Sequence, residues 1–386
     1  MVTEQSSTKS KIAKYAKSLG AEWMGLETRS SARYWSQLGS DGLLCQDQDR
    51  GGGSGVLHNW QLCKELLPWG LDVPGVVAHN DAVASYIHSC SDRVRDAYLD
   101  ELMTGSRIAT VAITEADSGS DTQNIASTIR QVDSSRWVLN AEKRWITNAP
   151  VVGLAFVMAA HDGGTLDGKT SLIAVDARSA DVHASEPYAT TCLKSTLVGA
   201  LRVDNLIIRT DDFVGGPGAG AIQMMLAMAR ERASVAAVAL ATSRIIMDLT
   251  LKWARRHSVR GGSLGGKQAV SHRLARLEAK LTLAEGAFQA ILSNFGTGRI
   301  PINHATRLKL VSTELQNSIA QSCSHLFGAE SFREGTFISR QSENARVQNI
   351  YAGTSEIMTE MIANELGLAE DASALPETRG GIHVQQ

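Results

Sequence analysis

Residues 112–121 read Ala-Ile-Thr-Glu-Ala-Asp-Ser-Gly-Ser-Asp, and 24 positions beyond Asp121 the chain reaches Trp145-Ile146-Thr147-Asn148. The first stretch runs from a β-branched strand into a loop of small residues, whose backbone N–H groups can closely approach an electron-rich ring or a phosphate. In the second, strand alternation predicts Trp145 and Thr147 on one face, where an indole beside a hydroxyl can wall a flat heteroaromatic group. Taken alone, each segment also fits ordinary structure, since strand tryptophans are commonly core and Ser/Gly/Asp clusters are commonly turns. A third element lies near the C-terminus: Gln348-Asn349-Ile350-Tyr351-Ala352-Gly353-Thr354-Ser355-Glu356-Ile357.

Around these segments the chain divides into three blocks. Up to about Arg107 the pattern is helical, with Ile12, Ala16 and Leu19, and again Val94, Tyr98 and Leu102, at three- to four-residue spacing. From Ile108 to about Val214 it changes to short β-branched runs, IATVAIT, RWVLNAEKRWIT, GLAFVMAA, TSLIAVD and LRVDNLII, which predict a sheet or barrel. After Gly215-Gly216-Pro217-Gly218, helices are expected over 223–256, 267–295 and 303–324. The expected domains are therefore residues 1–107 (helical), 108–214 (β-barrel-like) and 215–386 (a four-helix bundle). The last helices are apolar on more than one face, which fits either an oligomer interface or a larger monomeric core. The glycine run from Asp49 to Gly55 lacks the preceding strand and the Lys-Ser/Thr of a P-loop, so it reads as a connector.

Bulk composition narrows the classes. With 386 residues, 43% of them hydrophobic and 20% charged, the chain can bury a sizeable core without metals or cross-links. A formal net charge of −2 gives no electrostatic reason to expect nucleic acid or anionic membrane as partner. Five widely spaced cysteines without a CxxC suit reduced thiols, and the N-terminus lacks the apolar region of a secretory signal, so a cytoplasmic location is expected. The longest apolar stretch, residues 221–247, is interrupted by Arg230-Glu231-Arg232, and no membrane span is predicted. His325 has no neighbour at metal-ligand spacing, so no metal is predicted.

The three quoted segments, in this order, resemble the acyl-CoA dehydrogenase family. Its TEPxAGSD pattern is matched by TEADSGSD, its K-x-WIT-N by Lys143 to Asn148, and its I-Y-x-GT-x-E/Q-I by IYAGTSEI. The resemblance covers nearly the whole chain and implies FAD held between domains and partly by a neighbouring subunit, in a homodimer or homotetramer. Carried over by position, Ile113, Thr114, Gly119 and Ser120 meet the flavin and its phosphates, Trp145 and Thr147 flank the isoalloxazine, and Thr354 and Glu356 contact the diphosphate and ribose. Ser120, Arg232, Tyr351, Ala352 and Gly353 are expected at the substrate.

In this family a glutamate abstracts the α-proton of an acyl thioester while the β-hydrogen leaves as hydride to the flavin. Its commonest place is the residue between Tyr and Gly in Y-E-G-T, which is Ala352 here. The isovaleryl- and long-chain-type branches carry the base instead in a Glu-Arg pair on a C-terminal-domain helix, and Glu231-Arg232 stands at that place. A helical glutamate between two arginines can equally be a salt-bridged surface group; the loss at position 352 makes Glu231 the expected base.

The chain departs from the family elsewhere. R-x-x-F-G with its following glutamine becomes His257-Ser258-Val259-Arg260-Gly261 and Gln268, leaving His257 or Arg260 as the diphosphate donor. Q-x-x-G-G-x-G becomes His325-Leu326-Phe327-Gly328-Ala329-Glu330-Ser331, an altered adenosine end. The expected function is an acyl-CoA dehydrogenase that passes electrons to an electron-transfer flavoprotein. The alternatives are action on an acyl group carried by a carrier protein, oxidation of a more distal C–C bond, a flavin monooxygenase, or a non-catalytic relative.

Overall fold

The computed structural model describes residues 32–44, 53–69, 73–122, 124–194, 196–295 and 299–368. The helical reading at Ile12, Ala16 and Leu19 and most of the glycine run lie outside the described residues.

Four helices precede the strands: α1 (Ala32–Ser40), α2 (Gly53–Leu66), α3 (Pro74–Tyr86) and α4 (Asp92–Thr104). Helix α3 opens on a proline, whose missing N–H would have been unpaired there anyway. Helix α4 is capped by the Ser91 hydroxyl, which accepts from the Val94 N–H, and it ends on Gly105 at φ +74°. A Cβ on Gly105 would stand 2.1 Å from the Trp35 carbonyl oxygen, and one on Gly39 2.2 Å from that of Thr104, so α1 and α4 meet backbone to backbone.

The strands are β1 (Ala109–Ala112), β2 (Thr128–Gln131), β3 (Arg136–Thr147), β4 (Leu154–His161), β5 (Thr170–Asp176), β6 (Val182–Ala184) and β7 (Val198–Arg209). They form one mixed sheet in the order β1-β4-β2-β3-β7-β6, with β5 on the other side of β4. Alternation sorts the side chains. Ala155, Val157, Ile173 and Val175 of β4 and β5 share a core with Trp137, Leu139, Leu201 and Val203 of β3 and β7. The opposite faces of β4 and β5, with Leu154, Phe156, Met158 and Leu172, pack on Tyr86, Ile87 and Leu102 of the helical block. The five runs read from sequence are strands; β2 and β6 were missed, because each is only three or four residues with one buried side chain.

Beyond the sheet come α5 (Gly220–Arg256), the short hairpin strands β8 (Ser258–Val259) and β9 (Gly262–Ser263), α6 (Gln268–Phe295), α7 (Ile302–Phe327), α8 (Phe337–Gln348) and α9 (Ser355–Glu365). Helix α5 is long and apolar enough to cross a membrane by length and composition, yet most of that stretch is buried within this chain. Helices α5 and α7 run parallel: Arg232 bonds Thr306, the Met247 and Cys323 sulfurs lie 3.8 Å apart, and the Trp253 indole donates to the Leu326 carbonyl. One core joins α1 to α3 with α5, α6 and α7.

A buried ion pair locks the first quoted loop to the second. Lys143, with no exposed area, donates from Nζ to Glu115 Oε1 at 2.6 Å and to the Ile113 carbonyl at 3.1 Å. Glu115 also accepts from the backbone N–H groups of Ala126 and Ser127 and from the Ser127 hydroxyl. Although burial opposes ionisation, the bonds from Lys143 and Ser127 hold this carboxyl below the usual range. Glu115→Ala leaves the Lys143 ammonium buried without its partner, a change that costs about 3–5 kcal/mol. The thermal-unfolding midpoint is expected to fall by several degrees, and a wild-type midpoint would contradict this account.

Candidate active site

Arg230, Glu231 and Arg232 are consecutive in α5, so their side chains leave the helix about 100° apart and meet different neighbours. Arg230 is buried, and its Nε donates to Asp81 Oδ1 of α3 at 2.9 Å. Asp81 also accepts from Asn59 Nδ2 of α2 and from Ser234 Oγ, each at 3.1 Å, and Asn80 Nδ2 donates to Asn59. Arg232 is buried as well; it donates to the Ala352 carbonyl at 3.3 Å and to Thr306 Oγ1 at 3.0 Å.

Glu231 alone of the three turns to open space. Water reaches its side chain, which is exposed by surface area, yet the carboxylate stands in a recess where surrounding protein strips much of its hydration. A concave site can be open on one side and still poorly solvated. That desolvation pushes its pKa up to about 7; the charge of Asp81 adds to the rise, and Arg232 and Lys309 oppose it.

Opposite Arg232 lies the turn read as the third motif. Ala352 has φ +57° and Gly353 φ +91°, and a non-glycine residue held there costs about 1–2 kcal/mol. Two buried cations hold the turn: Arg232 by the Ala352 carbonyl, and Lys309 Nζ by the Gly353 carbonyl at 2.6 Å. Among the described residues none accepts from the Ala352 N–H. The Tyr351 hydroxyl donates to Gln348 Oε1 at 2.6 Å; burial pushes its pKa up, and Cys63, Glu231 and Cys192 add to that. Thr354 caps α9 by accepting from the Ile357 N–H at 3.3 Å, which leaves a helix N-terminus facing this region.

The flat wall is built by strain. The β3–β7 ladder slips between Lys143 and Ile146, and Trp145 is thrown to φ +59° with 63% of its surface exposed. Ile146 points into the core and Thr147 is half-buried, so Trp145 and Thr147 do share the outer face. Thr114 is tied to this bulge by its carbonyl, which accepts from the Arg144 N–H at 2.9 Å. Tyr188, which sequence reading missed, meets the Trp145 ring edge-on at 5.0 Å between centroids. Ile113 and Thr114 are half-buried, Gly119 and Ser120 are exposed, and a Cβ on Gly119 would meet nothing within 4 Å.

These features fit FAD. An uncovered indole can wall a ring, open space before Gly119 can take it, and the capped start of α9 can take a diphosphate. Beside that start, the buried Ser355 Oγ and Asn349 Oδ1 have no partner among the described residues.

The remaining candidates lie elsewhere. His257 is 26 residues beyond Glu231 at the end of α5, roughly 40 Å along the helix axis. Its ring stacks on Trp253 at 4.7 Å, and Trp253 stacks on Phe327 at 5.1 Å, which brings His257 beside the end of α7. His325 and Gly328 are there, both exposed, as are Arg260 and Gln268 on the neighbouring hairpin and α6. Glu231 and the group around His257 thus stand at opposite ends of α5.

A helical, sheet and helical chain with an exposed indole on its sheet and a desolvated carboxylate on its longest helix points to a flavoprotein dehydrogenase. Residues 218–367 match the acyl-CoA dehydrogenase C-terminal domain and residues 110–206 the acyl-CoA dehydrogenase middle domain. The long-chain specific acyl-CoA dehydrogenase of Sus scrofa mitochondria is 26% identical over 87% of this chain and 79% of its own length. An L-prolyl-(peptidyl-carrier protein) dehydrogenase of Pseudomonas fluorescens is 28% identical over 88% of this chain and 91% of its own. The crystal structure of an acyl-CoA dehydrogenase from Geobacillus kaustophilus superposes with TM-score 0.85 at 24% identity, covering 93% of this chain and 96% of that one, and so shares the fold. The chain belongs to the acyl-CoA dehydrogenase family, oxidoreductases acting on CH–CH bonds with FAD as cofactor.

The turn gives a direct test. A Cβ on Gly353 would lie 2.6 Å from Met358 Cε at a φ that side chains avoid. Gly353→Ala should lower flavin reduction by substrate by at least about tenfold, roughly 1.4 kcal/mol of barrier, with FAD content unchanged; wild-type reduction would contradict the role given to this turn.

Proposed function

We propose that this chain oxidises an acyl thioester to its α,β-enoyl product, with Glu231 as the base that takes the α-proton. The observation that carries the reading is the placement of Glu231: poorly hydrated, pushed up to about 7, and facing a turn whose residue 352 has no side-chain base. A carboxylate of that basicity is poised to accept a proton near neutral pH, an effect typically worth about 10²–10⁴ in rate. The Ala352 N–H, with no internal acceptor, is available to the thioester carbonyl, where it stabilises the charge that develops as Glu231 takes the proton. Bound FAD supplies the acceptor for the β-hydrogen and its electron pair. Trp145 and Thr147 orient the ring, and Ile113, Thr114, Gly119, Ser120, Thr354 and Glu356 hold the flavin and its phosphates. Arg232 acts on the substrate through the turn, since it is buried against the Ala352 carbonyl rather than open to a ligand.

The distance between Glu231 and the group around His257 supports a homo-oligomer in which His257 or Arg260, together with Gln268, His325 and Gly328, meets the FAD of a second copy. An electron-transfer flavoprotein is the proposed electron acceptor. The handle is either CoA or a carrier protein; the relative named for a carrier-protein substrate spans this chain as fully as the long-chain enzyme does.

Glu231→Gln should bind FAD normally yet lose substrate-driven flavin bleaching by at least about 10²-fold; bleaching at wild-type rate would remove Glu231 as base. In the wild type the ionised carboxylate is the active form, so bleaching should rise as pH climbs through about 7 and fade below it. Matched acyl-CoA and acyl-carrier-protein substrates, compared by anaerobic bleaching, decide the handle.

A further inference from the structure

We propose that Lys309 is a positioning residue for this reaction, holding the Gly353 carbonyl so that the turn presents the Ala352 N–H, while its charge faces the Glu231 carboxylate. The inference rests on the reading of Glu231 as base.

Lys309 projects from α7 with no exposed area, and its Nζ donates to the Gly353 carbonyl at 2.6 Å. Buried ammonium groups are commonly neutralised by a carboxylate in contact, as Lys143 is by Glu115. Among the described residues Lys309 has no such contact; its hydrogen-bond partner is a backbone carbonyl on a strained turn. A buried charge kept on a carbonyl is expensive, and a neutral donor could make the same hydrogen bond. Two effects need the charge. A charge-assisted bond grips the carbonyl of a turn that a non-glycine residue at 352 would otherwise relax. The same charge also reaches Glu231, where it offsets part of the rise that burial imposes.

The groups facing Glu231 are Asp81 and Tyr86 of α3, Arg230 and Arg232 of α5, Lys309 of α7 and Tyr351 of the turn. Asp81 already pairs with Arg230, and Arg232 is occupied by the Ala352 carbonyl and Thr306. Lys309 can also be switched off by pH. Burial, then the nearby Arg232, lowers it to about 8, against the pull of Glu356, Glu231 and Glu314. Deprotonation above about 8 weakens the grip on Gly353 and removes a cation from beside the base.

Stopped-flow flavin reduction against pH separates this role from a merely structural one. The wild-type profile should be bell-shaped, rising through about 7 and falling above about 8. Lys309→Arg keeps its charge at all working pH and should lose the alkaline limb. Lys309→Gln keeps a donor for Gly353 without the charge; its acid limb should move up by about one pH unit, with FAD content and flavin absorbance unchanged. An unshifted acid limb in Lys309→Gln, or a wild-type alkaline limb in Lys309→Arg should the first variant not fold, would overturn the proposal. Fast flavin reduction by Glu231→Gln would instead overturn the reading of the base, so the two failures are distinguishable.

Discussion

The ion pair between Asp81 and Arg230 is the constraint on which the rest of the site depends. Glu231 is flanked by arginines on both sides in sequence, and a salt bridge to either would leave an ordinary acidic surface group. Asp81, with Asn59 and Ser234 around it, ties Arg230 into the seam between α2, α3 and α5. Its own negative charge then adds to the desolvation of Glu231. One interaction thus joins the first helical block to the third and adds to the basicity that desolvation gives Glu231.

At two other places a buried cation fixes backbone beside a point of strain. Lys143 anchors the loop after β1 by Glu115 and the Ile113 carbonyl, one residue before the bulge that throws Trp145 outward. Arg232 and Lys309 anchor the carbonyls of Ala352 and Gly353. Fixing backbone rather than only side chains suits a site whose proposed partners, a planar ring and a thioester carbonyl, are met largely by N–H groups and an indole face.

Much of the architecture was legible in the sequence because its periodicities are long and clean. Helices over 220–256, 268–295 and 302–327 and the strands around Trp137 and Val157 announce themselves by spacing. The short strands β2 and β6 do not, since three or four residues carry no period. Trp145 and Thr147 were placed on one face by simple alternation, and they do share it, although a bulge that alternation cannot foresee supplies the exposure. Asp81 and Lys309 were invisible for a different reason. Each is one charged residue in an unremarkable helical stretch, brought beside Glu231 only by packing of α3 and α7 on α5. Glu115 and Lys143 stood inside the quoted segments, and their spacing of 28 residues said nothing about a pair until β1 and β3 were in place. The separation of His257 from Glu231, by contrast, follows from the helix expected over 223–256.

The central claim is that packing makes Glu231 a neutral-pH base. Isotope-edited infrared spectroscopy of the carboxyl stretch, taken as the wild-type minus Glu231→Gln difference across pH, reads that group directly and without turnover. The account predicts a protonated-carboxyl band that disappears with a midpoint at about 7. A midpoint at the ordinary glutamate value of about 4.3 would contradict it.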